Sequence, residues 1–409
     1  MSAHAGAAAP PVTPAAPATA VPIARGLART ITRWRAFAPV AVKMMFHDKL
    51  KMFGTLVGVL FAVILSNQQL GTFLGLLSKN TMYVDNGGAD LWIVPPPTTQ
   101  FLAVDTMPDS TVLAARTLDG VVWASPVIVG QSPVKNPTGG FEAVTLIGVE
   151  LPERHGGPWN MVAGSADALE LPDAVILEDS QREKFGNADL GSVREISGRK
   201  MTVAGFTWGL LPFGPSYAFT EFTRAREILG VENYRVHFVL VKIKDPANLE
   251  SAKRDLQARV PDQLVLTTRE FDTRIVKFIL TRTPIGITFG TSAAFGLIVG
   301  FVIVALTMFS AIVDNVREFG TLKAIGATTR DLAKLLFVQS VIYATMGYGL
   351  GIFLVANMAR GIRSPNLALR LPPALILGTY VLVVLLCIFA SSLSLIRLRK
   401  VEPAMVFRG

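Results

Sequence analysis

The sequence predicts an α-helical integral membrane protein with four transmembrane helices and a large α+β extracytoplasmic domain between helices one and two. Three observations carry that expectation. Of 409 residues, 51% are hydrophobic and 17% charged, with a mean hydropathy of +0.45, whereas a soluble globular domain carries about a quarter charged residues. Four stretches without charge, Met52–Ser78, Thr283–Val313, Leu335–Ala359 and Leu371–Ile396, each exceed the roughly 20 residues a helix needs to cross the hydrocarbon core. Between the first two lies the segment 79–282, long enough for a folded domain of ordinary size.

Taken in order, residues 1–22 are almost entirely Ala, Pro, Gly, Ser, Thr and Val, without helical or strand periodicity, and are expected as a disordered cytoplasmic tail. Residues 23–51 form a basic amphipathic juxtamembrane segment, with Leu27, Ile31, Trp34, Phe37, Val40, Met44 and Phe46 at near-helical spacing. Two roles are open to it: a helix lying on the inner leaflet, or a basic anchor that only sets topology. The first span is 52–78. Asn67, Gln68 and Gln69 interrupt it, so its membrane-embedded part is expected to end near Leu65 while the helix continues into water.

In the outer domain, 79–282, strand-like runs are Leu91–Val94, Val121–Val129, Phe141–Val149, Ala174–Leu177, Lys200–Phe206, His237–Ile243 and Gln263–Thr267. Helix-like runs are Ser110–Thr117, Phe222–Leu229 and Asn248–Val260, and the last completes a strand-helix-strand unit. The Gly- and Pro-rich stretch 151–215 is expected as an inserted subdomain. The remaining plan is span two (283–313), a cytoplasmic loop (314–334), span three (335–359), a short outer loop (360–370), span four (371–396) and a cytoplasmic tail (397–409).

Orientation follows from the basic residues flanking the spans. Arg25, Arg29, Arg33, Arg35, Lys43, Lys49 and Lys51 precede span one; Arg317, Lys323, Arg330 and Lys334 lie in the middle loop; Arg397, Arg399, Lys400 and Arg408 follow span four. Only Arg360, Arg363 and Arg370 oppose the trend, so both termini are expected in the cytoplasm. The net charge of +9 is therefore concentrated at the inner membrane edge, since 79–282 holds 21 basic against 25 acidic residues. Anionic lipid headgroups fit that charge; nucleic acid does not.

Several chemistries lack their residues. No GxxxxGK[ST] motif is present to cradle nucleotide phosphates. The histidines, His4, His47, His155 and His237, make no metal-ligand spacing, and the one cysteine, Cys387, forms no intrachain disulfide or CxxC site. His237 begins a strand and reads as structural; His155 lies in an exposed loop. The spans hold no ionisable residue, which disfavours an ion-coupled carrier. They hold instead the pairs Gly286 and Gly290, Gly296 and Gly300, and Gly347 and Gly351, whose GxxxG spacing lets helix backbones approach within a chain or between two copies. Leu210, Leu211, Phe213 and Phe219 suit either a small core or contact with an amphiphile or partner protein.

The middle loop is more specific. It contains Arg317, Glu318, Gly320, Leu322, Lys323, Ala324 and Gly326 in the pattern Arg-Glu-x-Gly-x-Leu-Lys-Ala-Ile-Gly-Ala, followed by Thr328 or Thr329 as the cap of a helix beginning near Arg330. This pattern resembles the cytoplasmic signature of the FtsX-like, MacB-like permeases of ABC transporters. The segment 41–51 and the tail Val401-Glu402-Pro403-Ala404 are similar to the same family, and Thr283 through Gly300 most resembles the permease of the heterocyst-envelope glycolipid exporter (DevC-like) group.

The resemblance implies a non-catalytic, multi-pass subunit of the bacterial inner membrane that forms a homodimer and is driven by a separate ABC ATPase. It binds no cofactor itself; ATP and Mg belong to the ATPase. It implies mechanotransmission, in which the seven residues Arg317 to Gly326 receive the ATPase's motion and the outer domain delivers it. The expected task is export of a lipid, glycolipid or other amphiphile with a periplasmic membrane-fusion adaptor. Lipoprotein release and regulation of cell-wall hydrolases without transport are the alternatives within the family.

Overall fold

The strand residues Leu91–Val94, Ala174–Glu178, Ser216–Glu221 and Phe238–Ile243 bury side chains on both faces, so the sheet they build is covered on both sides. The computed structural model describes Pro39 and residues 42–46, 49–102, 105–137, 139–314, 320–322, 327–361 and 369–399. They divide into two compact units. One comprises Val57–Val304 and Ala344–Leu386; the other comprises Ala305–Tyr343 with Met1–Leu56 and Cys387–Gly409.

Four long helices correspond to the apolar stretches: α1 (Lys49–Asn80), α7 (Pro284–Asp314), α8 (Thr329–Gly361) and α9 (Pro373–Arg399). The parts long and apolar enough to cross a bilayer are Met52–Asn80, Pro284–Thr307, Thr329–Gly361 and Pro373–Ser392. Between α1 and α7 come α2 (Met82–Asn86), β1 (Leu91–Val94), β2 (Met107–Pro108), α3 (Ser110–Arg116), β3 (Val121–Lys135), β4 (Phe141–Val149) and β5 (Met161–Gly164). After them come β6 (Ala174–Glu178), β7 (Val193–Ile196), β8 (Arg199–Thr207), β9 (Ser216–Glu221), α4 (Phe222–Leu229), β10 (Arg235–Val236), β11 (Phe238–Ile243), α5 (Leu249–Arg259), β12 (Leu264–Thr267) and α6 (Thr268–Arg282).

The sheet order is β12-β1-β11-β3-β4-β9-β6-β8-β5, and β7 pairs with both β3 and β8. The bridge made by β7 closes β3, β4, β9, β6, β8 and β7 into a ring. The Gly- and Pro-rich stretch 151–215 thus adds β5 to β8 to the common sheet. The strand-helix-strand unit β11-α5-β12 is split, because β1 lies between its two strands and is antiparallel to both.

Side chains two apart share a face, and the buried residues sort accordingly. Ile128, Val144, Leu146, Val175, Leu177 and Ala218 form one core with α4. Their alternates Val127, Val129, Ile147, Val149, Ile176, Tyr217 and Phe219 form another with Tyr83, Trp92, Phe238 and the apolar side of α6. A third, built on Leu91, Ile93, Val239 and Val241, is covered by α3 and α5.

Helix α4 lies so close to β4 that a Cβ on Gly148 would stand 2.3 Å from the Ala225 Cβ. Helix α6, absent from the expected elements, starts at a capping box: the Glu270 amide donates to Thr267 Oγ1 at 3.2 Å, and the Thr267 amide to Glu270 Oε2 at 2.8 Å.

His237 is structural. It is buried beside β11, and its Nδ1 accepts from the Val129 amide at 3.3 Å. Burial pushes its pKa down to about 4. A base with a depressed folded pKa contributes stability that is present above pH 6.5 and lost as the pH falls through 4. The full loss is about 3 kcal/mol for one such group. Thermal unfolding of the full chain in detergent is therefore expected to weaken between pH 6.5 and pH 4, and His237→Asn to flatten that part of the profile.

Candidate functional site: the helix bundle and its connections

Within the unit built on Ala305–Tyr343, local bonds prepare the start of α8. Thr328 Oγ1 donates to Asp331 Oδ2 at 2.6 Å, while the Asp331 amide donates back to Thr328 Oγ1 at 3.3 Å. This reciprocal cap satisfies first-turn amides that have no intrahelical acceptor, so Thr328, of the two expected threonines, is the cap. Directly after it, Leu332, Leu335 and Leu336 are buried together, with Met44, Leu322, Ala327 and Val338 packed on them. Gly320 is buried. Of the seven coupling candidates, Leu322 packs on this small apolar knot and Gly320 is buried; Arg317, Glu318, Lys323, Ala324 and Gly326 lie outside the described residues.

In the other unit α1 is the hub. Facing α7, it presents Gly58, Ala62 and Leu65. A Cβ on Gly300 would stand 2.1 Å from the Ala62 Cβ, one on Gly296 3.1 Å from the Leu65 Cβ, and one on Gly58 2.4 Å from Ile303 Cγ2. Facing α8, it presents Val59 and Val63. A Cβ on Gly347 or Gly351 would lie 2.5 or 2.6 Å from their respective Cγ1 atoms. Four of the six glycines picked from the sequence thus abut the chain's own first span. Gly286 abuts the Leu280 backbone at the junction of α6 and α7, and Gly290 has open space. Gly58 was missed, although its distance of four from Ala62 is the same small-xxx-small signal.

The polar residues of this bundle also belong to its packing. Asn67 is 0% exposed. Its Oδ1 accepts from Thr379 Oγ1 of α9 at 2.9 Å, and its Nδ2 donates to the Val63 carbonyl at 3.0 Å. Asn67, read from the sequence with Gln68 and Gln69 as the point where the helix leaves for water, is satisfied within the bundle by a partner 312 positions away.

Both outer connections run into the aromatic core. At the end of α1, Leu77 is in that core with Phe73 and Leu74 against it, and Ile285 joins from α7. Phe73 stacks on Phe289 with centroids 5.4 Å apart. Tyr83 of α2 is fully buried, stacks on Phe101 at 4.3 Å, and donates its hydroxyl to the Gly156 carbonyl at 2.7 Å. From α6, Phe271, Ile275 and Ile279 enter the same cluster.

The helices α2 and α6 also bring two carboxyls together. Asp272 is pushed up to about 7, first by burial and then by its hydrogen bond to Asp85 and that group's charge. Nearby, Glu178 is fully buried, and Thr207 Oγ1, Ser180 Oγ and the amides of Gly209 and Leu210 donate to it at 2.7–3.1 Å. Lys79, at the outer end of α1 and 8% exposed, lies within electrostatic reach of it.

Other candidates resolve plainly. His155 stacks on Trp123 with centroids 3.9 Å apart, and among the described residues no group of three or more His, Cys, Asp or Glu stands ready to hold a metal. Leu210, Leu211 and Phe219 are buried; Phe213 is 57% exposed. A cavity of about 260 Å³ lies between β4 and the segments around Phe185 and Leu211.

A chain with four apolar helices and this α+β insertion has counterparts. Residues 52–259 match the MacB-like periplasmic core domain, and residues 290–403 match the FtsX-like permease C-terminal domain. The first match alone spans just over half of the chain. The chain belongs to the FtsX/MacB family of ABC-transporter permeases.

As a member it is a multi-pass membrane protein. It is 24% identical over 210 residues to a macrolide export ATP-binding/permease protein MacB of Rhodopseudomonas palustris strain BisB18, covering 47% of this chain and 31% of that one. It is 24% identical over 189 residues to the uncharacterized ABC transporter permease YknZ of Bacillus subtilis, covering 44% of this chain and 46% of that one. The permease thus spans less than half the length of either relative. Among solved structures, the periplasmic region of MacB from Actinobacillus actinomycetemcomitans aligns with a TM-score of 0.36 at 13% identity, covering 48% of this chain and 98% of that one.

Two outcomes follow for the permease. Gly300→Val places atoms inside Ala62 and is expected to cost about 1–3 kcal/mol or to block folding, whereas Gly290→Ala, facing open space, stays within about 0.5 kcal/mol of the parent. Thermal unfolding in detergent separates them. For Asp272, a raised folded pKa contributes stability that is present below the ordinary value of 3.8 and lost as pH rises through about 7. Unfolding midpoints of wild type relative to Asp272→Asn are expected to fall as the buffer goes from pH 5 to pH 8.

Proposed function

We propose that this permease is the non-catalytic membrane subunit of an ABC exporter working by mechanotransmission. A separate ABC ATPase binds ATP and Mg, grips the segment from Arg317 to Gly326, and moves the helices. Two copies of the permease form the working unit, with both termini cytoplasmic, and a periplasmic membrane-fusion adaptor completes the path. The cargo is a lipid, glycolipid or other amphiphile, as in the heterocyst-envelope glycolipid exporter (DevC-like) group.

One observation carries this reading: the first span is packed at backbone contact within the bundle and is continuous, through Leu77 and Tyr83, with the core of the outer domain. A displacement of α1 cannot be absorbed by a loose linker, because the linker is itself core. The uncharged spans support the same reading, since they offer no compensating charge along an ion path. The apolar knot on which Leu322 packs supports the loop as the receiving end, because a rigid seat passes a push onward into α8.

The test is Gly326→Leu in the complex with the ATPase encoded beside it, reconstituted in lipid vesicles. Membrane insertion and ATPase binding are expected to persist while export falls by roughly tenfold or more, the scale of a coupling of about 1–3 kcal/mol. An unchanged export rate removes the loop from the mechanism. Stimulation of a copurifying cell-wall hydrolase without export replaces the exporter reading with the regulatory one.

A further inference from the structure

On the side of the membrane that carries the α+β domain, each of the four uncharged stretches ends at a cation. Lys79 follows 52–78, Arg282 precedes 283–313, Arg360 follows 335–359 and Arg370 precedes 371–396. Lys79 is buried, within electrostatic reach of Glu178 in the domain. The three arginines are exposed, and among the described residues none of them is paired with a carboxylate. Their own segments offer none: no Asp or Glu occurs between Asp272 and Asp314, or between Asp331 and Glu402. Basic residues at these ends run against the charge bias that orients the spans, so their presence calls for a role at the membrane edge itself.

The backbone around two of them is held in place. The Arg370 amide donates to the Gly71 carbonyl of α1 at 3.0 Å. Leu369 and Leu371 flank that glycine so closely that a Cβ on Gly71 would stand 2.8 and 3.0 Å from their methyl groups. Arg282 is the last residue of α6. Thr283, next to it, donates its hydroxyl to the carbonyl of the buried Ile279 at 2.6 Å, and a Cβ on Gly286 would stand 2.9 Å from the Leu280 carbonyl oxygen. Arg360 lies in the last turn of α8.

Further into the hydrocarbon, each of these helices exposes a large apolar side chain: Ile287 on α7, Phe353 on α8 and Leu377 on α9. Phe353, two helical turns before Arg360, is on the same face of α8. A guanidinium offers parallel N–H donors that match a phosphate as a bidentate fork. A guanidinium at the rim with apolar surface beneath it is complementary to a molecule with an anionic head and acyl chains. A soluble anion fits only the upper half of that arrangement.

We infer that Arg282, Arg360 and Arg370 bind the phosphate headgroups of anionic lipids in the leaflet on the domain side. The lipid at Arg370 is held against the bundle, because the backbone carrying that residue is seated on α1. The inference needs the four-span topology and not the exporter reading, and holds whatever cargo the bundle serves.

The experiment uses the full chain in phosphatidylcholine nanodiscs holding a minor fraction of photoactivatable lipid, either phosphatidylglycerol or phosphatidylcholine, with adducts mapped by peptide mass spectrometry. Peptides from the domain-side ends of α7, α8 and α9 are compared with those from the opposite ends, an internal reference in the same sample. Wild type is expected to carry several-fold more phosphatidylglycerol than phosphatidylcholine adducts at the domain-side ends, and to keep that excess when inorganic phosphate is added. The double variant Arg360→Gln, Arg370→Gln is expected to remove the excess from α8 and α9, and Arg282→Gln to remove it from α7, each leaving the opposite ends unchanged.

Equal labelling by the two lipids at the domain-side ends overturns the inference, as does an excess that survives the glutamine substitutions. Labelling abolished by inorganic phosphate assigns the arginines to a soluble anion and overturns the lipid. If one variant does not fold, seen as lost labelling at the opposite ends, the other decides the question on its own helix.

Discussion

The structure depends on one constraint: α1 has to be in backbone contact with its neighbours on two faces and buried in the outer domain at its end. Gly58 and Ala62 meet α7 on one face; Val59 and Val63 meet the glycines of α8 on the other. In lipid there is no hydrophobic gain from bringing two apolar helices together, so close van der Waals packing over small residues has to supply the association. Toward α8 the glycines Gly347 and Gly351 face the bulkier Val59 and Val63 of α1, and toward α7 the small residue alternates, Gly58 of α1 facing Ile303 and Gly300 facing Ala62. The larger partner fills the groove that the missing side chain leaves.

Polar groups obey the complementary rule, that a buried donor or acceptor is tolerated where it is paired. Asn67, Thr379 and Tyr348 do this in the bundle; Glu178, with four donors, and Tyr83, donating to Gly156, do it in the outer domain. In each case the pairing ties together segments far apart in sequence. Glu178 fixes the start of the loop after β8, and Tyr83 fixes α2 against the loop carrying Gly156. Polar satisfaction therefore sets which segments move together.

What the sequence disclosed follows from how local each signal is. The apolar stretches announced the four long helices, and β1, β4 and α4 have the bounds their residue patterns suggest, because length, alternation and caps are local. Strands β2, β5, β7 and β10 are only two to four residues long, too short to show alternation, and β9, buried on both faces, has no polar face to alternate with. Helix α6 was legible in principle: Phe271, Ile275 and Ile279 recur every four residues after the Thr267 and Glu270 capping box. At the candidate site, the small residues were visible but their partners were not. The burial of Asn67 was not legible because polarity is a property of one residue, whereas its satisfaction depends on Thr379. The bulk of the coupling motif lies outside the described residues, so its reading still stands on pattern alone.

Magnitudes decide which connection of α1 yields first. Hydrogen bonds between helices in a membrane average about 0.6 kcal/mol, so the contact between Asn67 and Thr379 is weak. Deleting a buried aromatic side chain costs about 3–5 kcal/mol, and α1 is joined to the outer domain through a cluster holding Tyr83, Phe101, Trp92, Tyr217 and Phe238. Moving a two-state equilibrium from almost wholly one state to almost wholly the other takes about 5.5 kcal/mol. A change of that size exceeds the hydrogen bond between Thr379 and Asn67 many times over and matches the loss of only one or two aromatic side chains from that cluster. The tie between α1 and the outer domain is therefore stronger than the hydrogen-bonded tie between α1 and α9.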